Sequence, residues 1–194
     1  MEHRGTRILQ TQRLVLRPFR LKDAGEMFHN WACDPVVTRY LTWPAHSSQA
    51  VTEQVLRLWI EGYASPEQYQ WAIEEQETGK VIGSISLLHT PTDLQLEQME
   101  VGYVIGRAWW NRGLMTEAAK RLLCYGFEEL GLHRIKGIHH IDNPASGRVM
   151  EKIGMTLEGT IREGYRDNCG RWCTVRQYAA LRTDPPLWRS SSGQ

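Results

Sequence analysis

The sequence predicts a mixed α/β fold built on a mostly antiparallel sheet with one crossover helix. Three successive apolar runs alternate with a period of two residues and are joined by short turns, which indicates an antiparallel meander. Strands and helical stretches then alternate along the chain, and this order predicts a crossover connection. The 194 residues suffice for one domain with a substantial core. We therefore expect a single domain with its core at residues 8–182, followed by a polar and loose tail at 183–194.

Each strand is predicted from alternating apolar residues bounded by turn signals. The first run ends at Pro18, which cannot donate a hydrogen bond to a neighbouring strand. Turns at 78–80 and 90–94 separate the strands of the meander, and a turn at 167–170 separates the last two strands. The predicted strands cover residues 13–18, 69–74, 81–88, 97–105, 134–141, 155–161 and 171–181.

Four helices are predicted from apolar residues that recur every three or four positions. The first closes at Asp34-Pro35, the second is entered through Ser47-Ser48, and the third begins at about Thr116. The fourth begins at Asn143-Pro144, since Asn is a favoured N-cap and Pro is favoured at the first helical position. It runs to about residue 153, and Gly154 ends it.

Composition and charge exclude several classes of function. A formal net charge of +1 gives no broad basic field, so nucleic-acid binding is not indicated. No apolar run is long enough to cross a bilayer and residues 1–7 lack the apolar segment of a signal peptide, so we expect a cytoplasmic protein without membrane association. The four cysteines lack zinc-site spacing and are expected to be reduced thiols, with no metal: Cys33, Cys124, Cys169 and Cys173.

The loop at 106–115 joins a strand to a helix and has the properties of an anion site. Free N–H groups at a helix N-terminus favour phosphate, Arg107 and Arg112 add positive charge, and Gly113 allows close backbone approach. A solvated turn with surface arginines is the alternative. The loop is neither a P-loop nor a dinucleotide-binding fingerprint, because the required glycine and lysine spacings are missing.

Three segments together resemble a known family. Residues 102–118, GYVIGRAWWNRGLMTEA, resemble the acetyl-CoA loop of the GNAT superfamily of N-acetyltransferases. Residues 142–159, DNPASGRVMEKIGMTLEG, are similar to the segment that follows in that superfamily. Residues 11–18, TQRLVLRP, are similar to the start of the branch that includes the ribosomal-protein N-terminal alanine acetyltransferases. The resemblance covers about residues 8–182 and implies a GNAT-type sheet with splayed middle strands flanked by helices.

The resemblance also implies an acetyl-CoA site. In the family pattern Arg/Gln-x-x-Gly-x-Gly/Ala, Trp110 takes the first position and Met115 the last, and both depart from the pattern. The pantetheine arm would lie between the splayed strands, where a backbone N–H would also stabilise an oxyanion. Asn143 would contact the same arm. The residues whose backbones would hold the donor are Tyr103, Val104 and Ile105 on the strand, and Arg112, Gly113, Leu114, Met115 and Thr116 at the pyrophosphate.

The catalytic residues are inferred from the chemistry of amide formation and from the same resemblance. An amine attacks a thioester only when it is neutral, so a base or a dry site is needed. Glu100 is the candidate base, with a carboxylate on the wet face of the sheet as the alternative, and Glu163 is a weaker rival. Ser146 is the candidate acid for the leaving thiolate, with N-terminal capping of its helix as the alternative. Tyr40 and Trp43 lie where the branch places part of its acceptor groove, although large aromatics there are also typical of a core.

The implied function is transfer of an acetyl group from acetyl-CoA to an amine, directly and in a ternary complex. A protein or peptide N-terminal α-amine is the first acceptor hypothesis. A small amine (a polyamine, an antibiotic or an amino-acid derivative) is the second, and a non-catalytic acyl-CoA-binding module is the alternative of another class. Dimers are common in the family, so a homodimer is compatible with the resemblance.

Overall fold

A computed structural model describes residues 1–188 and contains one eight-stranded sheet. The spatial order of the strands is β1-β2-β3-β4-β5-β6-β8-β7, and every neighbouring pair is antiparallel except β5 and β6. The predicted mixed α/β, mostly antiparallel fold is therefore confirmed. The strands are β1 Leu9–Gln10, β2 Leu14–Arg17, β3 Gln70–Glu75, β4 Val81–Leu88, β5 Gln98–Ile105, β6 Arg134–His140, β7 Thr156–Arg166 and β8 Trp172–Leu181.

Helices cover both faces of this sheet because each face carries its own apolar cluster. On one face, α5 and α6 pack over the larger cluster, which includes Ile85, Met99 and Leu122. On the other face, α1 and α3 pack over a second cluster around Trp31 and Leu56. The helices are α1 Ala24–Met27, α2 Pro35–Thr38, α3 Gln49–Gly62, α4 Pro91–Gln95, α5 Leu114–Cys124 and α6 Pro144–Lys152. Wider π-helical turns, Phe28–Ala32 and Tyr125–Glu129, extend α1 and α5.

One predicted turn and one predicted helix end prove to be helix starts. The segment predicted as a turn at 90–94 contains α4, because Thr90 and Asp93 form a reciprocal capping box around Pro91 at the first position. Asp34-Pro35 ends the first helical segment as predicted but also starts α2, where the Asp34 side chain accepts a hydrogen bond from the Val36 N–H at 2.9 Å. Local capping chemistry therefore creates two short helices that apolar periodicity alone does not reveal.

Two further differences lie at the strand ends and in the tail. The short strand β1 was not predicted, and β7 extends to Arg166, well beyond the expected end at residue 161. The first part of the predicted polar tail is packed, because Trp188 is 3% exposed and lies against Phe127 with ring centroids 4.7 Å apart. The rest of that tail, residues 189–194, lies outside the described residues.

A buried ion-pair network joins β2 to the start of α1 and to β3. The Arg17 guanidinium donates two hydrogen bonds to Asp23, at 2.8 and 3.0 Å, and one to Glu74 at 2.6 Å. Arg17→Met should therefore lower the free energy of unfolding by about 3–5 kcal/mol, because it leaves the Asp23 charge buried without its partner. Arg134→Met, which breaks a more exposed pair with Glu158, should cost about 0–1 kcal/mol. Equal losses in urea unfolding would contradict this account of the network.

Candidate active site

Strands β5 and β6 pair only briefly and then separate. Gln98–Glu100 lie beside Arg134–Lys136, but β5 continues to Ile105 and β6 to His140 without further pairing between them. The unpaired ends form a wedge-shaped opening in the middle of the sheet. Backbone donors and acceptors that line such an opening need partners from outside the sheet.

The ladder between β4 and β5 shows which backbone groups face this opening. The Gly106 N–H donates to the Ile82 carbonyl at 2.9 Å, and hydrogen-bonded pairs alternate along an antiparallel ladder. We therefore expect Val104 to bond with Ser84 across the β4–β5 ladder, while Tyr103 and Ile105 direct their backbone groups into the opening. The Ile105 carbonyl does face away from β4, since it accepts a hydrogen bond from the Trp110 indole at 2.8 Å.

The N-terminus of α5 lies beside the end of β5 and begins with a left-handed residue. Gly113 has φ +74°, a conformation that side chains with a Cβ disfavour. The N–H groups of Leu114, Met115 and Thr116 belong to the first turn and have no carbonyl partner within the helix. Together with the helix dipole they make a site that favours an anion.

Ion pairs hold the loop before α5 in place. Arg107 pairs with Asp34 at 2.6 Å, and Arg112 pairs with Glu75 at 2.8 Å. Burial opposes the Glu75 charge, but hydrogen bonds from Thr78, the Trp109 indole and Arg112 keep the pKa of this carboxyl below its usual value. Both arginines therefore already have carboxylate partners, and their first role is to shape the loop rather than to supply unpaired charge.

The two departures from the family pattern have different positions. The Met115 side chain is 6% exposed and packs in the larger core cluster. The larger side chain at this position is therefore accommodated in the apolar core. Trp110 is 42% exposed and is fixed by its hydrogen bond to the Ile105 carbonyl. Neither residue disrupts the start of α5.

Tyr103 and Ser146 meet on one side of the opening. The Tyr103 hydroxyl lies 3.0 Å from the Ser146 Oγ and 3.0 Å from the Ser146 carbonyl oxygen. Burial raises the pKa of Tyr103, so its hydroxyl is neutral and donates a hydrogen bond to the Ser146 carbonyl oxygen. Ser146 lies in the first turn of α6, and its hydroxyl bonds to Tyr103 rather than capping the helix. Asn143 occupies the N-cap position as predicted, and its side chain makes no capping hydrogen bond.

Glu100 lies on the other face of β5, where the sheet is covered by α4. Its carboxyl is partly buried at the last residue that pairs with β6, opposite Lys136. Burial raises the pKa of Glu100; the Lys136 charge lowers it and the Asp93 charge raises it. Asp93 itself accepts hydrogen bonds from Lys136 at 2.9 Å and from Gln98 at 2.8 Å. Burial opposes its ionisation, but the bonds from Lys136 and Thr90 lower the pKa of Asp93 to about 2. Glu100 is thus the carboxylate of this group that lacks a direct ion-pair partner among residues 1–188.

The amino-acid sequence that forms this site is similar to the sequences of known acetyltransferases. The GNAT acetyltransferase domain family matches residues 13–156, well over half of the chain. The chain belongs to the GNAT family. An uncharacterized N-acetyltransferase of Bacillus licheniformis, p20, is 31% identical over 180 residues, which are 91% of this GNAT chain and 97% of p20.

Solved GNAT structures share the fold. An acetyltransferase of this family from Bacillus anthracis superposes with a TM-score of 0.81 at 26% identity, covering 92% of this chain and all of that one. A ribosomal L7/L12 α-N-protein acetyltransferase, solved with coenzyme A, superposes with a TM-score of 0.76 over 90% of this chain and 98% of its own. At 20% identity, that likeness shows the fold alone. The predicted resemblance to the GNAT superfamily is confirmed, and a ribosomal-protein acetyltransferase is among the proteins that share the fold.

The GNAT fold implies acetyl-CoA as co-substrate, and the geometry of the opening fits it. The Tyr103 backbone and the Ile105 N–H offer hydrogen bonds to an extended amide-containing arm, while the Ile105 carbonyl is bonded to the Trp110 indole. The first turn of α5 offers N–H groups to a pyrophosphate, and Gly113 lets that anion approach the backbone. No group of three or more His, Cys, Asp or Glu within residues 1–188 is placed to hold a metal ion. Within the same residues, no helix is both long and apolar enough to span a membrane.

The aromatic residues predicted for the acceptor groove of this GNAT protein separate into two environments. Tyr40 lies over His140 with ring centroids 5.1 Å apart, at the end of β6. Trp43 packs against the second apolar cluster and against His46, so its main contacts are those of a core residue. Glu163, the rival base, is exposed and lies in an irregular part of β7.

Sequence reasoning missed two side chains at the site. The Tyr103 backbone was predicted to bind the donor, but the contact of its hydroxyl with Ser146 joins residues that are 43 positions apart. Tyr165 was not considered. Burial is the main cause that raises the pKa of Tyr165, a hydrogen bond with Thr42 lowers it, and the Glu100 charge also raises it, so Tyr165 is within electrostatic range of the candidate base. Its position depends on a local irregularity in β7, and the glycine at 164 is the one sequence signal that could have indicated it.

The hydroxyl pair next to the opening gives a testable prediction. If Ser146 donates a hydrogen bond to the leaving thiolate, Ser146→Ala should lower kcat by about 10- to 100-fold, as expected for a bond to a charged group. Tyr103→Phe removes one neutral hydrogen bond and should lower kcat by about 2- to 10-fold. Ser146→Thr, which keeps the hydroxyl, is the control. An unchanged kcat in Ser146→Ala would show that Ser146 is only structural.

Proposed function

We propose that this GNAT protein transfers an acetyl group from acetyl-CoA to the N-terminal α-amine of a protein or peptide, by direct transfer in a ternary complex. One observation carries the proposal: the opening between β5 and β6 has an anion-binding helix start beside it and a partly buried carboxylate, Glu100, on the opposite face of the sheet from Ser146. Donor and acceptor can therefore approach from different sides. No covalent enzyme intermediate is required.

The donor would be held by backbone groups. Tyr103 and Ile105 would bond the pantetheine arm, and Asn143 lies at the start of α6 on the same side. The N–H groups of residues 112–116 would bind the pyrophosphate. Acetyl-CoA supplies a thioester, whose carbonyl carbon forms the new bond to nitrogen while the bond to sulfur breaks.

Glu100 would act as the base in this reaction, and Ser146 would stabilise the leaving thiolate. Glu100 accepts the proton that the amine loses, directly or through a water molecule. Burial raises the pKa of Glu100, which makes its carboxylate a stronger base than that of an ordinary glutamate. Ser146 donates a hydrogen bond to the departing sulfur. The free thiols of all four cysteines fit a reducing compartment, and we place the reaction in the cytoplasm.

The charge of the acceptor side favours a single amine over a polyamine. A polyamine site needs several carboxylates, whereas Asp93 is already neutralised by Lys136 and Glu163 is turned to solvent. Glu100 is left to accept one amine. The resemblance to ribosomal-protein acetyltransferases supports a peptide α-amine, because the L7/L12 enzyme that shares this fold is an α-N-protein acetyltransferase.

An acceptor panel tests this proposal. Purified protein with acetyl-CoA should release free thiol with peptides that have an unblocked N-terminus, and more slowly with spermidine or lysine. Varying both substrates should give intersecting initial-rate lines, because both must be bound together. If a small amine were turned over faster than every peptide, the acceptor would be a small amine and not a peptide N-terminus. Parallel lines would contradict the ternary complex.

A further inference from the structure

The hairpin of β7 and β8 contains a bulge that changes which β7 side chain lies on the same face of the sheet as Glu100. Ile161 pairs with Val175, but the next pair is Tyr165 with Cys173, so residues 162–164 of β7 stand opposite Thr174 alone. In a regular ladder Glu163 would oppose Cys173. The bulge therefore puts Tyr165 in the position that regular alternation would give to Glu163.

This bulge needs two unusual backbone positions. Glu163 has φ +52°, in the left-handed region that non-glycine residues rarely adopt. At Gly164, an added Cβ would lie 2.4 Å from the Ile161 Cγ2, so only glycine fits without a shift. Bulges are common next to active sites, where they redirect a side chain. The backbone strain at this point is consistent with such a purpose.

Pairing along the sheet shows that Tyr165 and Glu100 share a face. Directly paired residues point to the same side, and Glu100 pairs with Lys136, which pairs with Ala179. Cys173 is an even number of residues from Ala179 and so faces the same way, as does its partner Tyr165. Burial raises the pKa of Tyr165, a hydrogen bond from Thr42 lowers it, and the nearby Glu100 charge raises it.

Asn168 ties the tip of the same hairpin to the loop that carries Thr42. Its side-chain amide donates to the Thr38 carbonyl at 2.8 Å and to the Trp43 carbonyl at 3.2 Å. Its backbone N–H donates to the Leu41 carbonyl at 3.2 Å. These bonds bracket Thr42 on both sides and fix it against the hairpin. Thr42 lies near Tyr165, and a tyrosine hydroxyl can donate its own proton while its oxygen accepts a second hydrogen bond.

We propose that Tyr165 is a specificity-determining residue that donates a hydrogen bond to the carbonyl next to the acceptor amine, with Thr42 and Asn168 as its positioning residues. The inference rests on the proposed function and deepens it, because it selects acceptors that carry a carbonyl beside the amine. A peptide N-terminus has that group, whereas an alkylamine lacks it. The loop at 38–43 and the β7–β8 hairpin then form one wall of the acceptor site.

The test compares Tyr165→Phe with the wild type on two probes. The first probe is a short peptide that begins with an unblocked alanine, and the second is a simple alkylamine. The loss of one neutral hydrogen bond should raise KM for the peptide about 2- to 10-fold and leave KM for the alkylamine and for acetyl-CoA unchanged. Asn168→Ala should also raise KM for the peptide. In the double variant, the increase in KM should be smaller than the product of the two single increases.

Tyr178→Phe is the matched control, since it removes a tyrosine hydroxyl that bonds Glu151 on the other face of β8. It should leave both KM values unchanged. An unchanged peptide KM in Tyr165→Phe, or equal changes for peptide and alkylamine, would overturn the role of Tyr165 while leaving the transferase intact. A wild-type protein that turns over neither probe, nor any other amine, would instead overturn the proposed function and this inference with it.

Discussion

Replacing Glu100 with glutamine is expected to lower kcat by about 10²- to 10⁴-fold, the range that general acid–base catalysis contributes. The substitution keeps the size and polarity of the side chain but removes the group that accepts the amine proton. The stabilisation of the fold by acetyl-CoA should be unchanged, because Glu100 lies on the face away from Ser146 and from α5. Thiol-release kinetics and thermal unfolding with acetyl-CoA, run on the same preparations, measure the two effects separately.

The control for this substitution is Glu163→Gln, which removes the rival carboxylate. Glu163 is exposed on the bulge of β7, so its loss should change kcat by no more than about twofold. A loss of activity in Glu163→Gln with full activity in Glu100→Gln would reverse the assignment. Loss of the acetyl-CoA stabilisation in Glu100→Gln would show that the change had damaged the donor site instead.

The raised pKa of Glu100 also predicts the sign of two pH effects. As a base, Glu100 must be ionised, so kcat/KM should fall as pH drops through its pKa, at a higher pH than for an ordinary glutamate. Because the folded pKa lies above the unfolded one, Glu100 favours the folded state most at low pH, and this contribution is lost as pH rises through the folded pKa. Glu100→Gln should therefore be no less stable than the wild type at neutral pH. In this variant, the fall of kcat/KM at low pH that is due to Glu100 should disappear.

Gly113→Val is expected to abolish the stabilisation that acetyl-CoA gives to the fold. At about a hundred times its dissociation constant, a ligand stabilises the folded state by about 2.7 kcal/mol. For a chain of this length each kcal/mol shifts the unfolding midpoint by roughly 2–4 °C. The valine cannot hold φ +74° without strain, so the N–H groups at the start of α5 will move away from the position of the pyrophosphate.

Gly79→Val is the control that separates the effect of backbone strain from the loss of the acetyl-CoA site. Gly79 has φ +67° in the turn between β3 and β4, and an added Cβ there would meet nothing within 4 Å. An added Cβ at Gly113 would meet only the end of the Arg13 side chain at 3.7 Å, so the backbone penalty dominates at both positions. Both variants should lose similar stability without ligand, but only Gly113→Val should fail to respond to acetyl-CoA. A full response in Gly113→Val would exclude the α5 N-terminus as the donor site.

Much of the fold was predictable because local patterns specify it. The period of two residues identified the meander and placed Glu100 and Met99 on opposite faces of β5. Gly113 could be singled out because a glycine just before a helix start allows close approach to the backbone. In contrast, α4 depends on a capping box that competes with a turn, and the packing of Trp188 depends on Phe127, far away in the sequence.

The candidate site was harder to predict because its geometry is not local. The separation of β5 from β6 was expected only from the family resemblance, since nothing in either strand's own sequence ends their pairing. The contact between Tyr103 and Ser146 exists only after the strands have separated. On β7, the predicted strand ended at residue 161 and Glu163 after it was the weaker rival base; the strand instead continues through a bulge that pairs Tyr165 with Cys173, and Glu163 is exposed.

The most direct test of the central claim is the mass of the product formed from a peptide with a free N-terminus and one internal lysine. With acetyl-CoA and wild-type protein, the account predicts the addition of one acetyl group at the α-amine, and no addition to the same peptide with a blocked N-terminus. The Glu100→Gln protein should form this product far more slowly. Acetylation at the lysine alone would contradict the acceptor assignment. Stabilisation by acetyl-CoA without any product, from this peptide or from other amines, would contradict catalysis and leave an acyl-CoA-binding module.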